Sequence, residues 1–417
     1  MLRQAIEWQK QELEITLNEK YIPRLVRTPD LNSKIIKVVI GPRRAGKSFY
    51  SQHIISDAGK YGYINLDDER LSGINDYDKL TEELMSVYNK PERILIDEIQ
   101  NLTHWELWVN RLQRIGLKLV VTGSNAHLLS SELATHLTGR HEKIIIFPFT
   151  FGEYRNASIQ NESISEAQTD ALLEEYLFNG GFPETVVTAI NKKDYVATLF
   201  QSSIYKDIVK RNRITSAESI ENLGRYLLSN TGSEYSYRSL TRVVGCKSDM
   251  TVRKYLRFLE ESFIVFSVSR FSYKIREQAA QNKKIFAVDN SLISFVGFNM
   301  SPNFGKLAEN LVAITLEKKK LNGLINYFFW KNERHEEVDF VCLEKGKIYQ
   351  CIQVCWNMDN PKTENREIRS LLKAGSILGC EELIIITEKD SGIKNVTWSG
   401  RNANVTLIPL KKWLLEN

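Results

Sequence analysis

The sequence predicts an α/β protein of several domains, in which a parallel sheet presents a glycine-rich phosphate loop. Three observations predict it. The short apolar run Ile35-Ile36-Lys37-Val38-Val39-Ile40 breaks at Gly41, and Gly46, Lys47 and Ser48 follow at fixed spacing. Two more apolar runs, Ile94-Leu95-Ile96 and Leu119-Val120-Val121, each end in polar residues, as strands of a buried parallel sheet do. A chain of 417 residues also exceeds one ordinary domain and suggests two to four.

Composition narrows the class. With 42% hydrophobic and 26% charged residues and no low-complexity tract, the chain can bury a core, which excludes a disordered protein. The first twenty residues are charged throughout, and no apolar run approaches the ~20 residues that span a bilayer. A cytoplasmic protein without a membrane partner is expected. Five cysteines without a CxxC pair argue against a disulfide framework and a structural zinc site. The six histidines show no metal-ligand spacing. A net charge of +5 admits a nucleic-acid partner without requiring one.

Gly41-Pro42-Arg43-Arg44-Ala45-Gly46-Lys47-Ser48 reads as G-x-x-x-x-G-K-[ST], and with Phe49 it forms the expected ATP-binding segment. The glycines let backbone N–H groups turn towards phosphates. Lys47 is expected to reach the β/γ-phosphates and Ser48 to ligate Mg²⁺. Downstream, Ile94-Leu95-Ile96 ends in Asp97 and Glu98. Asp97 is expected in the Mg²⁺ shell, and Glu98 to orient and deprotonate water. The third run exits through Thr122, Ser124 and Asn125, of which Ser124 or Asn125 could sense the γ-phosphate or position the water. Arg140 precedes the apolar Ile144-Ile145-Ile146-Phe147. There it could enter a neighbouring subunit's nucleotide site, or simply meet a helix dipole.

In this order GPRRAGKS, NLDDER, IDEIQ, VVTGSN, LTGR and IFPFTFGEY resemble the AAA-type ATPases of archaea and bacteria that carry a second, poorly characterised C-terminal domain. GGFPE (180–184) fits the helical lid of that group. The resemblance implies a parallel sheet with the phosphate-loop strand at its centre. It also implies a homo-oligomer built through shared nucleotide sites, and the placement of Arg140 as a finger acting in trans rests partly on it.

The remaining chain divides by pattern. Residues 1–32 read as a helical lead, 33–155 as the ATPase core, 156–215 as a helical lid, 216–275 as a winged helix and 276–417 as the C-terminal domain. In the winged helix, Val252, Tyr255, Leu256 and Leu259 fall on one face. Ser248 can cap that helix, while Thr251, Arg253, Lys254 and Arg257 point outward, placed to meet DNA phosphates. From Phe304 onward the order of elements resembles a restriction-endonuclease-like α/β core, with Glu309 on a helix and Asp339 ending a strand. The Glu-x-Lys positions of that core hold Gln353 and Cys355, so cleavage is not expected. Lys345 and Lys347 read as solvated residues of a hairpin turn.

The function expected from these readings is Mg²⁺-dependent ATP hydrolysis coupled to DNA binding or remodelling. Two alternatives stay open: a nucleotide-dependent signalling or defence switch with a protein partner, and an ATP-gated nuclease.

Overall fold

The computed structural model describes residues 2–124, 140–159, 164–246, 248–298, 301–398 and 401–417. They form two compact units, 1–148 with 261–263, and 149–260 with 264–417.

The first unit opens with helix α1 (Leu2–Leu17), whose buried Ala5, Ile6, Gln9 and Leu13 share one face. Five parallel strands follow: β1 (Ile36–Ile40), β2 (Tyr61–Asn65), β3 (Arg93–Asp97), β4 (Lys118–Gly123) and β5 (His141–Ile145). Their order is β2-β3-β4-β1-β5. The phosphate-loop strand is therefore interior but one place off centre; β4 holds the middle. Helices α2 (Lys47–Ser56), α3 (Tyr77–Val87) and α4 (Trp105–Arg114) make the crossovers. Strands β1 and β3 are apolar nearly throughout because helices cover both faces of a parallel sheet. Parallel pairing also puts every strand's C-terminal end at one edge, where loops gather the polar residues.

The second unit begins with helices α5 (Phe151–Ser158), α6 (Glu166–Asn179), α7 (Pro183–Val187), α8 (Lys192–Ser202) and α9 (Ala217–Ser229). A π-helical stretch, Ser203–Lys210, continues α8. Next come β6 (Glu234–Tyr235), α10 (Tyr237–Val243), α11 (Asp249–Glu261), β7 (Val265–Ser269), α12 (Ile275–Ala280) and β8 (Lys283–Ala287). The three strands pair antiparallel in the order β6-β8-β7. On α11 the buried residues are Val252, Tyr255, Leu256, Phe258 and Leu259, and Ser248 Oγ accepts the Met250 N–H at 3.1 Å.

The chain closes with α13 (Asn290–Phe295), α14 (Phe304–Leu321), β9 (Asn326–Lys331), β10 (Glu337–Glu344), β11 (Lys347–Val354), α15 (Pro361–Leu378), β12 (Leu383–Thr387), β13 (Gly392–Trp398), β14 (Arg401–Pro409) and α16 (Leu410–Glu416). Their mixed sheet runs β13-β14-β12-β11-β10-β9. The GGFPE glycines are packing residues. Gly181 N–H donates to buried Asp289 at 2.8 Å, and a Cβ on Gly180 would lie 1.9 Å from the same carboxylate. Among the described residues no helix is long and apolar enough to cross a membrane.

Candidate functional site

The loop after β1 wraps back on itself. Gly41 has φ 152° and Gly46, the residue before α2, has φ 88°. Both are conformations that a side chain disfavours. A Cβ on Gly41 would stand 1.9 Å from the Ile146 carbonyl oxygen, so the loop is a cradle that only glycine permits. Pro42 and Ala45 are buried, Arg44 is exposed at φ 63°, and Arg43 lies between. Across the loop, the buried Lys47 ammonium donates to the Pro42 carbonyl at 2.8 Å. Phe49 packs against Tyr21 and His53, whose rings stack at 4.0 Å.

Ser48 Oγ donates to Asp97 Oδ1 at 2.9 Å, and the Thr122 hydroxyl donates to the same oxygen. Thr122 Oγ1 in turn accepts the Glu98 N–H at 3.0 Å. Thr122 thus ties the ends of β3 and β4, and Asp97 carries the link on to Ser48 at the start of α2. Glu98 sits just past β3 with φ 52°, and its carboxylate accepts from Gln100. Gln100 also reaches Ser124 Oγ at 3.4 Å, which places Ser124 beside Glu98 but one residue removed. Asn125 lies outside the described residues.

Two contributors were invisible in the sequence. Thr122 read only as a polar strand exit, although the pairing of Val121 with Ile96 sets it beside the end of β3, where it joins Asp97 and Glu98. Arg24 lies in an irregular lead segment and donates to the Ala45 carbonyl at 2.8 Å and the Phe147 carbonyl at 2.5 Å. It fixes the back of the loop against the chain leaving β5. Arg140 is exposed, and its carbonyl accepts the Ile36 N–H at 3.0 Å. That is the start of β1, roughly 13 Å from the loop at its end by strand rise.

Burial, with the neighbouring Glu98 carboxylate, pushes the Asp97 carboxyl up to about 6, against hydrogen bonds from Thr122 and Ser48 and the charge of Lys47. A carboxyl that titrates higher in the folded chain holds more protons folded than unfolded. Stability therefore falls as pH rises from about 4 to about 6. Asp97→Asn is expected to melt roughly 5 °C above the parent at pH 7.5, with the gap closing by pH 4. Thermal melts at both pH values read it; a lower midpoint at pH 7.5 would contradict it.

In the second unit, Glu309 and Asp339 do meet, but around an unforeseen residue. Buried Lys284 on β8 donates to Glu309 Oε1 at 2.9 Å, Glu337 Oε1 at 2.6 Å and Asp339 Oδ1 at 3.1 Å. Asp339 stands near the start of β10 instead of ending a strand, since that strand runs on to Glu344. Gln353 is spent on structure. Its Oε1 accepts the Asp339 N–H at 3.2 Å and its Nε2 donates to Glu367 at 2.7 Å. Burial and Glu367 push the Cys355 thiol up to about 11, so it is neutral at physiological pH. Lys345 and Gly346 form the hairpin turn, and Lys347 opens β11 on the surface.

A five-stranded parallel sheet with this loop, this lysine and this paired strand end defines an AAA-type P-loop ATPase, a nucleotide-binding class. An AAA-domain family profile matches residues 33–155, and two domains of unknown function, DUF8612 and DUF4143, match 170–302 and 304–413. The chain belongs to the family of the uncharacterized protein MJ1544 of Methanocaldococcus jannaschii, at 30% identity over 97% of this chain and 93% of that one. An uncharacterized protein of Haemophilus influenzae is 29% identical over 79% of this chain and 84% of its own. Among solved structures, the Walker-type ATPase PABY2304 of Pyrococcus abyssi aligns with a TM-score of 0.42 at 13% identity, covering 67% of this chain and 99% of that one.

Proposed function

We propose that this chain hydrolyses ATP with Mg²⁺ and couples turnover to holding or remodelling duplex DNA. The observation that carries the hydrolysis is the chain of hydrogen bonds Ser48–Asp97–Thr122–Glu98 beside the Lys47 loop. Ser48 and Asp97 offer the hard oxygens that Mg²⁺ requires, and Gly41 opens the cradle that phosphates need. Bound ATP with its metal would supply the phosphoanhydride and neutralise charge on it. The protein's share is positioning: Lys47 and the loop amides hold phosphate oxygens, while Glu98 is placed to accept a proton from water. Ser124 supports Glu98 through Gln100. Arg140, a full strand length from its own loop, suits action on a neighbouring subunit in a homo-oligomer.

The DNA reading rests on α9-β6-α10-α11-β7-β8, a helix–turn–helix followed by a hairpin, whose third strand lies beyond residue 275. It leaves Arg253, Lys254 and Arg257 exposed on α11. We read residues 216–275 as the body of a winged helix, 156–215 as a lid, 1–32 as a lead to the core, and 276–417 as a restriction-endonuclease-like domain without cleavage, because Gln353 and Cys355 bring neither a carboxylate nor an ammonium.

The test is steady-state phosphate release with and without duplex DNA at two salt concentrations. Stimulation that weakens with salt and disappears in Arg253→Ala/Arg257→Ala is expected. Turnover indifferent to DNA would replace this reading with a nucleotide switch acting on a protein partner.

A further inference from the structure

Lys284 is buried in the second unit, its side chain only 4% exposed, yet it meets three carboxylates at once. Its backbone is locked in β8 between Glu234 of β6 and Val268 of β7. Its stem passes the Phe329 ring, with the ammonium 5.7 Å from the centroid. An ammonium has three N–H donors, and three carboxylates meet it. The other groups of the pocket are also engaged. Asp339 Oδ2 accepts the Val354 N–H at 3.0 Å, Lys331 takes Glu337 Oε2 at 3.3 Å, and both ends of the Gln353 amide are bonded. Burial opposes the Lys284 charge, but the carboxylates outweigh it and hold the ammonium protonated well beyond the usual lysine range. Three carboxylates gathered in a buried pocket without a cation would be strongly unstable.

We propose that the Lys284 ammonium is the built-in cation of this pocket, standing between Glu309, Glu337 and Asp339 where a divalent ion would otherwise be required. The domain then needs no metal to fold, and its carboxylates are closed to one. Removing the lysine side chain converts the pocket into a divalent-cation site. None of this depends on whether the P-loop site hydrolyses ATP.

The experiment uses the full chain without nucleotide, in an Asp97→Asn background that removes metal binding at the P-loop, with Mn²⁺ followed by electron paramagnetic resonance and by thermal melting. The background protein is expected to take up no Mn²⁺ saturably. Lys284→Ala is expected to melt about 10 °C lower in chelator. It should then bind one Mn²⁺ per chain and regain at least half of that loss. Mn²⁺ bound by the background protein and released by Asp339→Asn would overturn the proposal, as would a folded Lys284→Ala indifferent to Mn²⁺. If Lys284→Ala does not fold, Lys284→Ala/Glu309→Gln/Glu337→Gln, with a single carboxylate left, is expected to fold. Its failure would show that the lysine acts by packing and not by charge.

Discussion

Glu98→Gln is expected to leave ATP affinity unchanged while lowering phosphate release about 10³-fold, the scale of a lost general base. The backbone argues for this division. Glu98 is held beyond β3 at φ 52° by its N–H bond to Thr122, so a glutamine there keeps the same main-chain position. The change removes only the proton acceptor, while Lys47, Ser48 and Asp97, which in the proposed function would hold the phosphates and metal, are untouched. Single-turnover phosphate release and equilibrium binding of a fluorescent ATP separate the two effects. Equal losses in both would move Glu98 from the chemistry into the cradle. Unchanged release would remove it from the reaction.

Gly41→Ala is expected to lower the melting midpoint by roughly 5–10 °C and abolish ATP binding. The methyl would meet the Ile146 carbonyl oxygen at 1.9 Å. That peptide cannot retreat, because Ile146 N–H is bonded to the Ile40 carbonyl at 2.8 Å and the chain continues to Phe147, which Arg24 holds. The φ of 152° adds backbone strain. Gly59→Ala is the matched control: φ is 104°, but nothing lies within 4 Å of the added carbon. A binding loss in Gly41→Ala alone would tie it to the cradle. Equal behaviour of the two variants would show that strain, and not the close approach, matters at Gly41.

The P-loop and the β3 end were legible because their geometry is local. Glycines and a lysine at fixed offsets determine a loop, and an apolar run ending in two acids determines a buried strand with a charged tip. The face of α11 was legible for the same reason, its period being set by the helix itself. What the sequence concealed was cross-strand chemistry. Thr122 and Ser124 look alike in sequence, and only the register of β4 against β3, with Val121 opposite Ile96, brings Thr122 to Asp97 and Glu98. Lys284 sits in the segment NKKIF, where nothing in the sequence marks it, yet β8 turns it inward to residues 25, 53 and 55 positions later, a convergence no short motif encodes. The resemblance to a restriction-endonuclease-like core puts Asp339 at a strand end, whereas Lys284 and the Val354 N–H let it lie inside β10.

The separation of Arg140 from Lys47 along β1 has a consequence for symmetry. If one copy's Arg140 completes another's phosphate loop, the contact joins two different surfaces and is heterologous, and repeated contacts of that kind close into rings or continue as filaments. Completed sites are then a property of pairs of neighbours and not of single chains. Specific activity under that arrangement climbs with protein concentration until the ring is full, and dilution acts as an off switch that needs no inhibitor.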